Sequence, residues 1–284
     1  MTQPSAYLNV GCGNCYHPDW TNVDLVASGP EVYQCDLRRG LPYEAEQFAA
    51  VYHSHVLEHL TPDNAATMLR DCFRVLRPGG IIRVVVPDLE GIATAYLQTL
   101  NEADGGDEKA IANHQWMTLE LLDQMTRARS GGLMKLAMEN PAQINRDFIR
   151  SRIGAEMDPA KKAKRTWRNR LSRWGRSTRK QLAATAVAIV QGRSGRDAFR
   201  EGNFRDSGEI HRWMYDRVSL ARLLREVGFE NASVVSANES QIELFDSFEL
   251  DYVGSSPRKP DSLYMEATRP RDAKQTNVGL SRAA

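Results

Sequence analysis

The sequence predicts an α/β protein in which a mostly parallel sheet is covered by helices. Three observations lead to this prediction. Short apolar segments separated by loops fill residues 1–90, a long stretch without strand signals follows, and a helix with two strand-like segments returns near the end. With 284 residues, the chain suits one elaborated domain or two small ones.

The first strand and the loop after it organise the chain. Leu8-Asn9-Val10-Gly11-Cys12-Gly13 indicates a short buried strand that opens into a glycine loop. Glycines allow the tight backbone path, and their missing side chains let a ligand lie against the main chain. Val23-Asp24-Leu25 indicates the end of a second strand, where a carboxylate can accept both hydroxyls of a ribose. The combination predicts a nucleotide-type site.

The next elements continue the pattern to residue 90. Val32–Asp36 and Ala49–Tyr52 predict two further strands, and Thr61-Pro62 is typical of a helix start. Ile81–Val86 is a β-branched run that predicts a central buried strand. Ligands of such sheets bind at the carboxyl ends of the strands. The candidate site residues therefore follow the strands: Gly11 to Gly13, Asp24, Asp36, His53 to His55 and Asp88.

Residues 91–209 are predicted to be helical and to form an insertion over the strand ends. After them, Val218–Val227 predicts a helix that ends at Gly228, and Ala232–Val235 and Leu263–Ala267 predict two closing strands. We therefore expect a core made of residues 1–90 and 210–270, a helical insertion at 91–209, and a disordered tail at 271–284.

Five motifs, in this order, resemble those of class I S-adenosylmethionine-dependent methyltransferases. They are Asn9-Val10-Gly11-Cys12-Gly13, Asn22-Val23-Asp24, Cys35-Asp36-Leu37, Ser54-His55-Val56-Leu57-Glu58-His59-Leu60 and Arg74-Val75-Leu76-Arg77-Pro78-Gly79-Gly80. The resemblance implies a Rossmann-like, seven-stranded, mostly parallel sheet with helices on both faces, and S-adenosyl-L-methionine as the cofactor. His211–Asp216 and Pro260–Tyr264 look like a subgroup linked to bacterial surface-polysaccharide and glycoconjugate synthesis.

The resemblance also implies roles for single residues. Asn9, Gly11, Cys12 and Gly13 would form the loop that faces the methionine part of the cofactor, and Asp24 would hold the ribose. Asp36 and Leu37 would border the adenine, and His53, Ser54 and His55 would close the pocket. One departure is visible: only twelve residues separate Gly11 from Asp24, which leaves room for at most one turn of the usual first helix.

The implied reaction needs a base if the acceptor is a sugar hydroxyl, because a hydroxyl is a weak nucleophile. A neutral histidine suits this role at pH 7. The candidates are His55 and His211, with Asp88 as an orienting group or an alternative base. The sequence contains no dense carboxylate cluster that demands a metal, so we predict no metal site.

Two motifs have competing interpretations. His55-Val56-Leu57-Glu58-His59 also fits the H-x-x-E-H pattern of zinc peptidases, in which both histidines share a helical face. Cys12 and Cys15 form a C-x-x-C pair, but no second pair completes a four-cysteine zinc site. All four cysteines are expected to be reduced thiols, because the N-terminus shows no export signal.

The basic segment Lys161–Lys180 holds ten basic residues and no acidic one. Trp167, Leu171 and Trp174 recur at helical spacing within it, and Leu182 and Ile189 extend the pattern. A basic helix with such a stripe suits an anionic membrane surface, although packing of the stripe against the insertion explains the pattern equally well. RNA phosphates are a less favoured partner, since the net charge is only +1 and no RNA-binding module is present.

These observations lead to one expected function and several alternatives. We expect a cytoplasmic enzyme, peripheral at the inner face of the membrane, that O-methylates a sugar hydroxyl of a surface polysaccharide or lipid-linked glycan. A saccharide or lipid-linked saccharide is the expected acceptor, and an oligomer is compatible with the sequence. The alternatives are a non-catalytic, membrane-associated scaffold with this fold, and a methyltransferase that acts on RNA or on a small metabolite.

Overall fold

The computed structural model describes residues 6–140, 142–157 and 167–271. The chain divides into two compact units. The first contains the residues up to Thr94, Ser151–Ala155 and the residues from Arg212 onward. The second contains Ala95–Arg150 and the stretch from Glu156 to His211.

The first unit is built on a seven-stranded sheet with the order β3-β2-β1-β4-β5-β9-β6. Its strands are β1 (Tyr7–Val10), β2 (Thr21–Asp24), β3 (Val32–Gln34), β4 (Phe48–Ser54), β5 (Leu76–Pro87), β6 (Glu230–Val235) and β9 (Ser262–Thr268). Strands β1 to β5 pair in parallel, and only β9 runs antiparallel to its neighbours β5 and β6. The predicted mostly parallel, Rossmann-like sheet is confirmed, and its order reverses between β1 and β4, where such sheets bind ligands.

Seven helices and a short hairpin complete the described structure. The helices are α1 (Pro62–Val75), α2 (Leu89–Ala103), α3 (Glu108–Thr126), α4 (Gly132–Glu139), α5 (Arg146–Ile153), α6 (Trp167–Arg205) and α7 (Arg217–Val227). The hairpin consists of β7 (Tyr252–Val253) and β8 (Ser256–Pro257). Single 3₁₀ turns lie at Leu37–Arg39, Leu57–His59, Gly154–Met157 and Phe245–Phe248.

One face of the sheet packs against α1 and α7. The Thr61 side chain accepts the backbone N–H of Asn64 and so caps α1, as predicted. Met68, Leu69 and Cys72 of this helix join the main hydrophobic core. The predicted end of the last helix is also confirmed, because Gly228 adopts the left-handed conformation directly after α7.

The opposite face is covered in the first unit by the chain around the Phe245–Phe248 turn. The Trp20 ring packs edge to face against the rings of Tyr52 and Phe245 beneath it. Arg83 of β5 is completely buried there, and its guanidinium lies 2.8 Å from both Asp251 Oδ2 and Glu266 Oε1. This paired charge ties the covering segment to the sheet.

Two local predictions can be compared directly with the structure. No helix forms between β1 and β2, which agrees with the short spacing noted in the sequence. Strand β5 begins at Leu76, five residues before the predicted Ile81. It starts early because Leu76 already pairs with Phe48 of β4. The register then shifts before Ile81 pairs with Ala50, and Gly79, with φ 80°, lies in this irregular part.

Within the described residues, the second unit consists of helices and the loops that connect them. The Asp123 carboxylate accepts the N–H of Leu133 and holds the start of α4 against α3. Helix α6 is interrupted at Gly192, where φ is 72° and ψ is −163°. Among the described helices, none is long and apolar enough to cross a membrane.

Part of the predicted basic segment lies outside the described residues. This applies to 161–166, and α6 begins at Trp167. All but the first residue of the predicted tail 271–284 also lies outside them.

Candidate functional site

The glycine loop after β1 is held to β2 by two hydrogen bonds. The backbone N–H groups of Gly11 and Cys12 both donate to the carbonyl of Val23, at 2.8 and 3.1 Å. Gly11 has φ 68°, and a Cβ at this position would lie 2.4 Å from Cγ2 of Val56. Gly11 is therefore required both for its conformation and for the close approach of Val56.

Asp24 closes this loop at the end of β2. Its Oδ2 accepts the N–H of Gly13 and its Oδ1 accepts the N–H of Val26, each at 2.9 Å. A carboxylate has about four lone-pair sites, so both oxygens retain capacity for hydroxyl donors. The loop and the predicted ribose-binding acid thus form one connected structure.

Gly13 lies at the open side of the loop. Its φ is 55°, and a Cβ built on it would meet no atom within 4 Å. Bare backbone beside open space and next to the Asp24 carboxylate fits the cradle that a cofactor with a ribose requires. The residues present are therefore compatible with S-adenosylmethionine.

Asn9 and Cys12 are buried parts of the loop. The Asn9 amide donates to the carbonyl of Cys15 at 3.1 Å and to Asn22 Oδ1 at 3.2 Å, so it positions the loop. Burial, with a contribution from Asp24, raises the pKa of the Cys12 thiol to about 12. Cys12 and Cys15 are free thiols, and a protonated, buried thiol is a poor nucleophile and metal ligand.

Asp36 and Leu37 follow β3. The Asp36 carboxylate accepts two bonds from the Arg38 guanidinium, at 2.9 and 2.8 Å, and this pairing lowers its pKa to about 2. Leu37 borders a cavity of about 460 Å³ between the Leu37–Arg39 turn and α1. The predicted contact of these two residues with an adenine stays a prediction.

His53 and Ser54 end strand β4. The His53 side chain is fully buried, and its contact with a ligand at the strand ends stays a prediction. Desolvation lowers the pKa of its imidazole to about 4 and keeps the ring neutral, although nearby Glu58 opposes the shift. Ser54 is half-buried at the strand end, where it remains a candidate for the pocket wall.

His55 is the predicted base that the structure places most clearly at the strand ends. Its N–H donates to Val85 of the neighbouring strand at 2.9 Å, and its φ is 55°, which is uncommon for a residue with a side chain. Its Nδ1 lies 3.1 Å from Glu58 Oε1, and its Nε2 lies 2.9 Å from Ser262 Oγ. The imidazole is thus held on both sides.

Asp88 and His211, the other two candidates, occupy different surroundings. Asp88 Oδ1 accepts the N–H of Glu90 at 3.1 Å and caps α2, and burial raises the pKa of this carboxyl. His211 belongs to the second unit, where its N–H donates to Gln124 at 2.9 Å. Participation of either residue in a reaction stays a prediction.

The zinc-peptidase interpretation requires both histidines of H-x-x-E-H on one α-helix. In the structure, His55 lies at a strand end in a left-handed conformation, and Leu57–His59 form a single 3₁₀ turn. The helical face that this interpretation needs is therefore missing from this part of the described chain.

Two partners of His55 were not among the predicted site residues. Glu58 lies three residues after His55 in the motif Ser54–Leu60, and this spacing could have suggested the contact. Ser262 is separated from His55 by 207 positions, and no sequence signal connects them. Only the pairing of β9 with β5 brings Ser262 to the strand ends.

Comparison with known proteins agrees with the motifs. Residues 8–84 match a protein family described as a methyltransferase domain. This part of the chain is therefore similar to a methyltransferase domain, and the cofactor of such domains is S-adenosylmethionine. No curated protein matches the chain significantly.

Solved structures of methyltransferases are similar to parts of the chain. One is the Burkholderia thailandensis 1,6-didemethyltoxoflavin-N1-methyltransferase, solved with 1,6-didemethyltoxoflavin and S-adenosylhomocysteine. It is 26% identical over 30% of this chain and 46% of that chain, with a TM-score of 0.26. SibL, an S-adenosylmethionine-dependent methyltransferase, is 14% identical over 95% of this chain and 52% of that chain, with a TM-score of 0.37. A Thermotoga maritima methyltransferase is 10% identical over 95% of this chain and 84% of that chain, also with a TM-score of 0.37. The alignments cover about half the length of the first two of these structures.

Proposed function

We propose that the protein is an S-adenosylmethionine-dependent methyltransferase that O-methylates a sugar hydroxyl, in a bacterial surface polysaccharide or a lipid-linked glycan. The observation that carries the methyltransferase part is the joined loop and acid: Gly13 donates to Asp24 at 2.9 Å while its own Cβ position faces open space. The sugar acceptor is supported by the resemblance of the His211–Asp216 and Pro260–Tyr264 motifs to the polysaccharide subgroup.

The residues of the chain have distinct tasks in this proposal. Backbone of Gly11 to Gly13 would accept the methionine part, and Asp24 would accept the ribose hydroxyls. When bound, the cofactor supplies an electrophilic methyl group on a sulfonium. Because methyl transfer is an in-line displacement, the main contribution of the protein is to hold the acceptor oxygen behind that methyl group. His55 would take the proton of the acceptor hydroxyl.

A calorimetric titration with S-adenosylmethionine tests the cofactor part directly. We expect micromolar binding by the full chain and its loss in Asp24→Ala, with Glu31→Ala, an exposed acid outside the loop, as the control. Because Asp24 also holds Gly13 and Val26, the melting temperature of the variant must be measured beside its affinity. Absence of binding by the unaltered chain would refute the cofactor assignment and favour the scaffold alternative.

The acceptor is tested by methyl transfer from radiolabelled S-adenosylmethionine to a panel of methyl glycosides, nucleotide sugars and lipid-linked saccharides, with RNA and amine-bearing metabolites as competing acceptors. Label in a saccharide product supports the proposal. Label only in an RNA fraction or in amine-bearing metabolites would replace the sugar hydroxyl with another acceptor.

Helix α6 suggests how the enzyme would reach a lipid-linked acceptor. Leu182, Ile189 and Val190 are 71%, 81% and 81% exposed, and no acidic residue occurs from Lys161 to Arg196. We propose that this segment contacts an anionic lipid surface, since exposed apolar side chains beside a basic stretch are typical of such contacts.

Vesicle sedimentation tests this contact. Phosphatidylcholine vesicles with phosphatidylglycerol should retain the protein, and vesicles without it, or with added salt, should retain less. Leu182→Glu combined with Ile189→Glu should weaken binding, whereas Val218→Glu on α7, itself 65% exposed, should not. Equal retention by both kinds of vesicle would refute the electrostatic part.

A further inference from the structure

Glu58 is a buried carboxylate beside the predicted base. It lies in the 3₁₀ turn Leu57–His59 and is 0% exposed. Its backbone carbonyl accepts the N–H groups of Arg212 and Trp213, at 2.7 and 3.2 Å, which fixes the turn. Burial of a carboxylate is costly unless a donor or a charge compensates it. The position of this group therefore calls for an explanation.

The contact with His55 supplies one. Glu58 Oε1 lies 3.1 Å from Nδ1 of His55, close enough for an ion pair with the protonated ring. The histidine is held there by its left-handed backbone, with φ 55°, and by the bond from its N–H to Val85. A backbone conformation that costs energy at the edge of a candidate site is a reason to consider a functional constraint.

The second nitrogen of the ring has a different partner. Nε2 lies 2.9 Å from the hydroxyl oxygen of Ser262, the first residue of β9. An ionised carboxylate only accepts hydrogen bonds, whereas a hydroxyl both donates and accepts. A carboxylate beside Nδ1 favours a proton on that nitrogen, and a neutral ring protonated there presents the lone pair of Nε2 to the hydroxyl.

We infer that Glu58 is a positioning residue that holds His55 in the Nδ1–H tautomer, and that the Ser262 hydroxyl marks where the hydroxyl of the acceptor binds. This inference rests on the proposed function and narrows it to acceptors with a nucleophilic O–H group. As the oxygen–carbon bond to the methyl group forms, the hydroxyl proton passes to Nε2. The carbon–sulfur bond breaks and its electron pair stays on sulfur, which leaves as a neutral thioether. The resulting imidazolium is stabilised by the adjacent Glu58 carboxylate.

The tautomer can be measured without cofactor or acceptor. Long-range ¹H–¹⁵N NMR spectra of the full chain, labelled at histidine, distinguish the two tautomers, and His55→Gln identifies the signals of this residue. We expect the Nδ1–H form in the unaltered protein and in Ser262→Ala. In Glu58→Gln the preference should be lost, with a melting temperature and far-ultraviolet circular dichroism that show the variant is folded.

Three outcomes of this experiment would overturn the inference. The first is an Nε2–H form of His55 in the unaltered protein, and the second is an unchanged tautomer in Glu58→Gln. The third is a His55 signal that changes on treatment with EDTA, which would indicate that a bound cation, and not the histidine, is the partner of Glu58. If Glu58→Gln does not fold, the tautomer of the unaltered chain and of Ser262→Ala still decides the question. Because no S-adenosylmethionine is present, failure here is distinguishable from failure of the calorimetric test.

Kinetics with an acceptor found in the methyl glycoside panel provide a second readout. His55→Gln should lower kcat by about 100- to 10,000-fold, the usual contribution of a general base. Glu58→Gln should lower it less, by about tenfold or more, with unchanged affinity for S-adenosylmethionine. Glu31→Gln, at an exposed acid outside the site, should retain kcat. A kcat in Glu58→Gln equal to that of the unaltered protein would contradict the positioning role.

Discussion

Gly13→Ala separates the role of the glycine loop in folding from its role in binding. Gly13 has φ 55°, a conformation that costs a residue with a side chain roughly 1–2 kcal/mol, partly offset by a stiffer unfolded chain. Its Cβ would meet no protein atom within 4 Å, so the substitution adds no clash within the described structure. We therefore expect a loss of about 1 kcal/mol in the free energy of unfolding.

Gly254→Ala is the matched control. Gly254 has φ 62°, also has nothing within 4 Å of a built Cβ, and lies between β7 and β8. Both variants should lower the melting temperature by about 2–4 °C. Only Gly13→Ala should lose affinity for S-adenosylmethionine, because its new methyl group occupies the space beside Asp24.

The two assays are differential scanning fluorimetry and calorimetric titration with S-adenosylmethionine. A decrease in affinity of at least about tenfold, or 1.4 kcal/mol, is expected for Gly13→Ala and none for Gly254→Ala. Unchanged affinity in Gly13→Ala, with the same melting shift as the control, would refute the assignment of this open space to the cofactor.

Three further predictions concern stability and its dependence on pH. Arg83→Met leaves two buried carboxylates without their cation and should cost about 3–5 kcal/mol in urea unfolding, whereas Arg217→Met, at an exposed pair, should shift the unfolding midpoint far less. Asp216→Ala should cost about 1 kcal/mol at pH 7, because the side chain accepts the Ser219 N–H at the start of α7, while Asp216→Asn keeps the cap. The same bond lowers the pKa of Asp216, so this stabilisation is lost as the pH falls below about 4. If Asp216→Ala and the parent still differ in free energy of unfolding at pH 2, the cap is not the cause. Burial lowers the pKa of His53 to about 4, so as the pH falls this histidine is protonated in the unfolded chain before it is protonated in the folded protein. The free energy of unfolding should therefore decrease by up to about 1.4 kcal/mol per pH unit from about pH 6.5 toward 4. His53→Leu should flatten this part of the pH profile, and an unchanged slope would assign it to other groups.

Several features of the fold were predictable because a short sequence pattern and the burial of the same residues favour the same helix or strand. The β-branched run Ile81–Val86 forms the centre of β5, and Thr61-Pro62 starts α1 where capping chemistry places it. The spacing between Gly11 and Asp24 correctly excluded a full first helix. Each of these signals acts over fewer than about twenty residues, so sequence reasoning can use it.

The candidate site was predictable to a smaller extent. Gly11, Gly13 and Asp24 were predicted because a ligand-binding loop needs bare backbone and a nearby acid, and the structure joins Gly13 to Asp24 by a hydrogen bond. His53 is fully buried one residue before strand β4 ends at Ser54, so its place in the cofactor pocket stays a prediction.

The sequence by itself determined the mostly parallel sheet, the glycine loop with its acid, and the helical stretch that follows β5. These follow from residue spacing, side-chain branching and the conformational freedom of glycine. Only the tertiary structure decided which groups flank His55, because Ser262 reaches it through the pairing of β9 with β5. The burial of Glu58 and of the Arg83 ion pairs was decided in the same way, since the solvation of a charge depends on chain segments far away in sequence.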